Sequence, residues 1–360
     1  MEVTVLNKNF ESVDVIDYFE SLIWTDRFNK CGDFEIYTPI TTEIWNILQP
    51  DYYLWSRDSE YLMIIEDRQI ETDIETGNHV TITGRSLESI LMRRIIWNQT
   101  VITGNLQAGI KKLITENIIS PTVADRKIAN FIFEDSTDEA ITKLTIESAQ
   151  YTGDVLYDVI TELCATFSIG FKITLNDSKK FVFKLYSGTD RSYSQSINPY
   201  VVFSPNFENI MNSKYLESSK TLKNVTLVAG EGEGAARRTS ILGSGTGIER
   251  RELYTDARDI SSTVDGGTLS DSEYMAQLKQ RGTENMADYK VTKTFEGEVE
   301  ATQMFSYGED FFLGDIVQNV NEYGMEFKSR VEEIVRSQNE EGNSIYPGFT
   351  IIEDKEEEES

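Results

Sequence analysis

One histidine, two cysteines and six prolines in 360 residues narrow the chemistry before any motif is read. The lone His79 excludes every metal site built on two imidazoles and leaves one imidazole base for the whole chain. Serine triads and Cys/His dyads would all have to recruit it. It stands without neighbouring ligands in a strand-like run beside a turn, so it reads as an ordinary strand position. Cys31 and Cys164 are far apart and allow at most one bridge, and Cys164 falls on the apolar face of a helical pattern, where a buried free thiol is expected. No apolar run approaches the ~20 residues of a membrane helix. The N-terminus, MEVTVLNKNFESVDV, lacks the basic segment and continuous apolar stretch of an export signal. Positive charge is scarce as well: 34 Lys and Arg against 61 Asp and Glu leave -27, which repels phosphate backbones and anionic headgroups. The expectation is a soluble protein made in a cytoplasm, with no membrane anchor and no tight hold on nucleic acid.

What is abundant is material for packed cores, 39% apolar and 11% aromatic, in a chain long enough for two or three domains. Alternating patterns predict strands over 2–7, 21–28, 33–38, 61–73 and 78–83, joined by Gly-containing turns, with a short helix over 42–48 stopping before Pro50. From residue 100 the period changes. Leu106, Ile110, Leu113, Ile114 and Ile118 form one helical stripe, and Leu156, Val159, Ile160, Leu163 and Phe167 another. A hairpin follows, with bulky apolar residues at every second position of 171–175 and 181–185. This region reads as a separate α+β unit. Strands return over 200–204, 225–233, 248–254, 291–299, 311–320, 325–335 and 345–352, with a helix at about 272–289 capped near Ser270 or Asp271. Gly282 inside that helix costs about 1 kcal/mol relative to Ala. A weak echo links Ile64-Ile-Glu66 and Glu75-Thr-Gly-Asn78 to Arg330-Val-Glu-Glu333 and Glu340-Glu-Gly-Asn343, which suggests two related β-units. The acidic stretch 353–360 is expected to be disordered by self-repulsion.

Chemistry-bearing constellations are weak. With so many carboxylates, some pair must fall at glycosidase spacing by accident, and surface solvation is the better reading. Asp256, Asp259 and Asp265 could offer oxygens to calcium but lack the alternating ligands of a dedicated loop, so a plain turn is favoured. The stretch VAGEGEGAARR (228–238) raises the question of a phosphate cradle. As a strand it would put Gly230, Gly232 and Gly234 on one face and Glu231 and Glu233 on the other, where carboxylates oppose an anion. Its spacing also departs from the nucleotide fingerprint. A bare glycine face suits close approach of another backbone or subunit, and the glutamates could meet Arg237, Arg238, Arg250 or Arg251. We expect no catalytic residues, cofactor or metal; the expected sites are interface residues, namely Gly230, Glu231, Gly232, Glu233, Gly234, Arg250 and Arg251.

Several segments, in this order, resemble the tail-tip (baseplate) hub proteins of long-tailed phages of Gram-positive bacteria, whose longer members carry a tail-associated lysin. They are SLIWTDRF (21–28) with GDFEIYTP (32–39), ITGRSLESILMRR (82–94), GTDRS (188–192) with NPYVVFS (198–204), VAGEGEG (228–234) with RRELYTDAR (250–258), and FEGEVE (295–300) with YGEDFFLGDIV (307–317). The resemblance covers nearly the whole chain. It implies a β-rich α+β fold of two tail-tube-like β-barrel domains with smaller α+β insertions, assembled as a homotrimer. Divided accordingly, residues 1–100 begin the first barrel, completed by about 200–222; 101–200 are the insertion; 223–352 are the second barrel.

Three copies of two barrels make a ring of six that suits a six-fold tail tube. The implied partners are the tail tube or distal tail protein and the tip, lysin or receptor-binding proteins, at the virion tail tip. DNA and the tape-measure protein would pass only in transit, and an acidic conduit would give DNA no sticking point. The sequence ends at Ser360, with no room expected for a lysin domain. Two rival readings are a carboxylate-dependent cell-wall hydrolase and the hub of a phage-derived contractile particle.

Overall fold

The computed structural model describes residues 1–75, 77–264, 267–298, 304–340 and 342–352, so Asp265 of the proposed cation loop and the acidic stretch 353–360 lie outside the described residues. The fold is a β-rich α+β fold. Strands from both ends of the chain share one 13-stranded sheet. One half holds Val3–Leu6, Ser12–Ile16, Ser21–Arg27, Asp33–Pro39, Tyr53–Trp55, Met63–Asp73 and Gly77–Ser86. The other holds Val202–Phe203, Met211–Ser218, Thr292–Glu298, Ile316–Val320, Glu326–Asn339 and Gly342–Ile351. The halves meet along the Glu326–Asn339 strand. Its first residues pair with Ile316–Val320, and from Glu333 onward it pairs antiparallel with Ser21–Arg27, Ile334 opposite Asp26.

Each half has its own core. Val3, Trp24, Ile36, Leu54 and Ile82 share one cluster, and Phe203, Phe295, Val317, Val331 and Phe349 share another. Residues from strands well apart in each half converge on a single core, so each half is curved around it. Among the described residues no pairing closes either half into a ring. The repeated Gly-Asn signal marks the tips of two long hairpins, Met63–Asp73 with Gly77–Ser86 and Glu326–Asn339 with Gly342–Ile351. Both carry a bulge at a matching place, between Ile65 and Asp67 in one and between Val331 and Glu333 in the other.

The middle region packs helices Leu106–Ile114 and Leu156–Thr166 over the hairpin Gly170–Leu175 and Phe181–Tyr186. Cys164 is a buried free thiol in the second helix. Three short strands escaped the pattern: Phe131–Glu134, parallel to Phe181–Tyr186, and the Thr100–Asn105 and Thr145–Tyr151 pair. Thr145–Tyr151 is covered on both faces near its end, which removes the alternation that marks a half-buried strand. Residues 225–256 form a separate three-stranded sheet, Thr239–Gly243, Val225–Ala229 and Glu252–Asp256, covered by helix Asp271–Ala287. With the short Thr263–Val264 and Gly267–Thr268 pair, the expected span 223–352 therefore contains strands of three different sheets among the described residues. Among the described residues no helix is long and apolar enough to cross a membrane.

Some strand ends differ from expectation where glycine turns the chain. The strand expected from 311 starts at Ile316, because Gly314 has φ +92° and the Asp315 carboxylate gathers the turn. Its Oδ1 accepts from Thr189 N at 2.7 Å, and its Oδ2 accepts from Arg191 Nε at 2.7 Å. A Cβ on Gly188 would lie 1.8 Å from Gly314 O. Thus the GTDRS and FLGD segments, distant in sequence, are two sides of one tight backbone contact.

Candidate interaction face

The glycine-rich stretch is not a strand. The strand over Val225–Ala229 stops at Ala229, Gly232 and Gly234 adopt φ +98° and +54°, and residues Gly234–Ala236 make one 3-10 turn. The expected two-faced alternation is therefore corrected. Period two needs extended backbone, and left-handed glycines turn the chain instead. Gly230 and Gly232 make the close approach expected of a bare face, and both make it within this chain, Gly232 against Ala236 O and Gly230 against the covering helix. A Cβ on Gly230 would stand 2.4 Å from Tyr274 Oη and 2.9 Å from Leu278 Cδ2. Tyr274 cannot easily yield, because its hydroxyl accepts from Glu231 N at 2.7 Å and donates to Ile260 O at 3.1 Å. Replacing Gly230 by Ala is expected to destabilise the fold by about 1–3 kcal/mol through overpacking. Urea unfolding would measure this, and an unchanged midpoint would contradict the packing argument.

Helix Asp271–Ala287 starts with a reciprocal capping box between Ser270 and Glu273, which fixes its position against the sheet. Gly282 now has a reason: a Cβ there would meet Val228 Cγ2 at 2.6 Å and Leu242 Cδ1 at 3.0 Å. Its backbone lies directly on the sheet. The helix's other flank packs on Thr145–Tyr151 and Leu156–Thr166. There the buried Glu284 carboxylate accepts from Tyr151 Oη at 2.7 Å, and Gln277 bonds Gln150 and Ser148. Burial raises the Glu284 carboxyl above its ordinary range. Burial and the Glu284 charge raise the neighbouring Glu162 to about 7.

With the helix on one face, the opposite face of the three-stranded sheet is open. Ile241, Leu227 and Tyr254 lie side by side across the strands and are 64%, 40% and 55% exposed. The interface residues expected from sequence bracket this row. Gly230–Gly234 follow one end of its central strand, and Arg250 and Arg251 lead into the strand that carries Tyr254. The expected Glu–Arg contacts are not those observed. Glu231 accepts from Ser262 N at 3.2 Å, Arg237 binds Ala229 O and Asp256, and Arg238 binds Asp271. Arg250 pairs with Glu252 at 2.5 Å, and Arg251 donates to Ser219 O at 2.7 Å. The exposed row itself was missed, since three apolar residues in three separate strands carry no common sequence signal.

The other candidates are structural. His79 is buried in its strand, stacks on Tyr37 at 4.8 Å and shares a 3.1 Å hydrogen bond with Glu20. Asp256 is held by Arg258 and Arg237, and Asp259 by Arg281, so the two described carboxylates of the cation loop are engaged by guanidinium groups. Among the described residues no group of three or more His, Cys, Asp or Glu is arranged to hold a metal ion.

This architecture defines a class. Solved structures of similar fold include a tail protein from Neisseria meningitidis MC58, with TM-score 0.57, 11% identity and coverage of 97% of this chain and 95% of that one. Prophage tail protein gp18 from Listeria monocytogenes EGD-e follows at TM-score 0.54 and 12% identity, covering 97% and 94%. The 43 kDa tail protein of prophage MuSo2 from Shewanella oneidensis gives 0.56 and 10%, covering 97% and 98%. A comparison with functionally curated proteins gives no match. The chain belongs to the family of siphovirus ReqiPepy6 Gp37-like proteins, whose family model matches residues 2–349.

Proposed function

We propose that this chain is a phage tail protein, the hub of the tail tip, a structural rather than catalytic component that works as a homotrimer. It joins the hexameric tail tube to the tip, lysin or receptor-binding proteins and leaves a conduit for DNA and the tape-measure protein. The observation that carries this reading is the pair of curved half-sheets joined along Glu326–Asn339, each with a long hairpin bulged at the same place. Three copies present six such units, which is what a six-fold tube requires of a three-fold partner. On this reading residues 225–287 are a second insertion, and the Ile241, Leu227 and Tyr254 row, with Gly230–Gly234, Arg250 and Arg251 at its ends, faces a neighbouring subunit. An apolar row rimmed by charge is the usual build of such a contact.

Light scattering on the purified chain should give three times the 41.0 kDa of one copy, with rings in electron micrographs. A persistent monomer at high concentration, alone and with tube protein, would reject the hub. Clearing of cell-wall suspensions by the chain would favour the hydrolase instead. Leu227→Asp combined with Arg250→Glu and Arg251→Glu is expected to lower the assembled mass while leaving the unfolding midpoint in place. An unchanged trimer would remove this face from the interface.

A further inference from the structure

Away from that face, a cleft of about 340 Å³ opens between residues 92–97 and 125–126. It is lined by Arg93, Arg94 and Arg126, with Trp97 and Ile95, and by a single carboxylate, Asp125. In a chain of net charge -27 this is an unusual concentration of positive charge. Among the described residues none of the three guanidinium groups forms an ion pair. Two of them are fixed by uncharged acceptors. Arg94 Nε donates to Arg126 O at 2.9 Å, and Arg126 Nη2 donates to Ile95 O at 2.6 Å and to Asn117 Oδ1 at 3.1 Å.

The wall is rigid, because residue 94 accepts from Leu156 N and Ile96 exchanges backbone hydrogen bonds with Asp154 and Gly153. Arg126 also lies 4.9 Å from the Trp97 ring, which is 55% exposed. Burial depresses the Arg126 pKa, and the Arg94 charge beside it adds to that shift.

We propose that this cleft docks a short carboxylate-rich polypeptide segment of another protein subunit. Its carboxylates meet Arg93, Arg94 and Arg126, and its apolar groups lie on Trp97 and Ile95. Guanidinium groups held in place match carboxylates in paired, charge-assisted hydrogen bonds. A phosphate polymer suits the site less well. It would have to run out of the cleft along a chain whose net charge is -27, whereas a short acidic segment ends within reach of the three arginines. The exposed indole beside them gives peptide side chains an apolar floor that a sugar-phosphate chain would not use fully.

The test is calorimetric titration of the intact chain with a short glutamate-rich peptide carrying one leucine, and in parallel with polyphosphate. Saturable peptide binding at one site per chain, weakening as salt rises, is expected. Arg93 makes no side-chain hydrogen bond among the described residues and is exposed, so Arg93→Glu should keep the wild-type unfolding midpoint while weakening peptide binding about tenfold or more. Trp97→Ala, which keeps every charge, should weaken it by a smaller factor. No peptide binding, tighter binding of polyphosphate than of peptide, or unchanged affinity in Arg93→Glu would each overturn the proposal.

Discussion

Replacing Asp26 by alanine is expected to destabilise the whole fold by about 3–5 kcal/mol, because it leaves a buried guanidinium without its counter-ion. Asp26 is 1% exposed, and its carboxylate accepts from Arg336 Nη1 at 2.5 Å, from Ser59 Oγ at 2.9 Å and from Trp24 Nε1 at 3.0 Å. Burial raises the Asp26 carboxyl above its ordinary range, and the Arg336 guanidinium beside it opposes that rise. The pair lies where Ser21–Arg27 and Glu326–Asn339 join the halves of the large sheet, the one seam between them among the described residues. Loss there should therefore shift one cooperative transition rather than melt a peripheral element. Urea unfolding of Asp26→Ala would measure it. The double variant Asp26→Leu with Arg336→Met should recover much of the loss, since the buried charge goes with its partner. A wild-type midpoint for Asp26→Ala would refute the seam's importance.

A second large effect is a pH dependence set by Glu88. This side chain is fully buried where the large sheet meets the middle unit, and its Oε1 accepts from Ile173 N at 2.6 Å. Burial pushes its carboxyl from 4.5 to about 7, against the hydrogen bonds from Ser86 and Ile173 that favour the charged form. Between those two values the unfolded chain releases the proton and the folded chain keeps it. The folded state then binds more protons, so stability falls as pH rises across this window and levels off above it. The displacement corresponds to about 3 kcal/mol.

Glu88→Gln removes the titration. The difference in unfolding free energy between Glu88→Gln and wild type should grow by about 3 kcal/mol in favour of the variant between acid pH and neutrality. Other carboxyls, Glu162 among them, are common to both proteins and cancel in the difference. Parallel stability curves would show that Glu88 titrates normally.

Much of the architecture was legible because it follows local periodicity. The stripe of Leu156, Ile160 and Leu163 gives a helix, and the alternation around Phe171, Ile173, Phe181 and Phe183 gives a hairpin with a buried face. The Gly-Asn echo was weak as a sequence match, yet it marks corresponding tips of two long bulged hairpins. Several of the segments that carried the resemblance are places where backbones nearly touch. Gly32 lies against Thr25 O, and Gly188 lies against Gly314 O. Glycine is required there by the space itself, which is why such short motifs are informative.

The glycine run after Val228 misled for the opposite reason. Its spacing fits an extended strand, but positive φ at Gly232 and Gly234 is an equally good use of glycine, and spacing does not separate the two.

The sequence by itself determined the two striped helices and the hairpin of the middle unit, the acidic character and the exclusion of two-histidine metal chemistry, since these depend on residue type and on neighbours a few positions away. Only the tertiary structure decided which strands share a sheet, that Ile241, Leu227 and Tyr254 form one open row, and that three arginines line one cleft around Trp97. Those facts bring together residues tens to hundreds of positions apart. Such pairings are fixed by the packing of whole faces, whose free energy no local window of sequence contains.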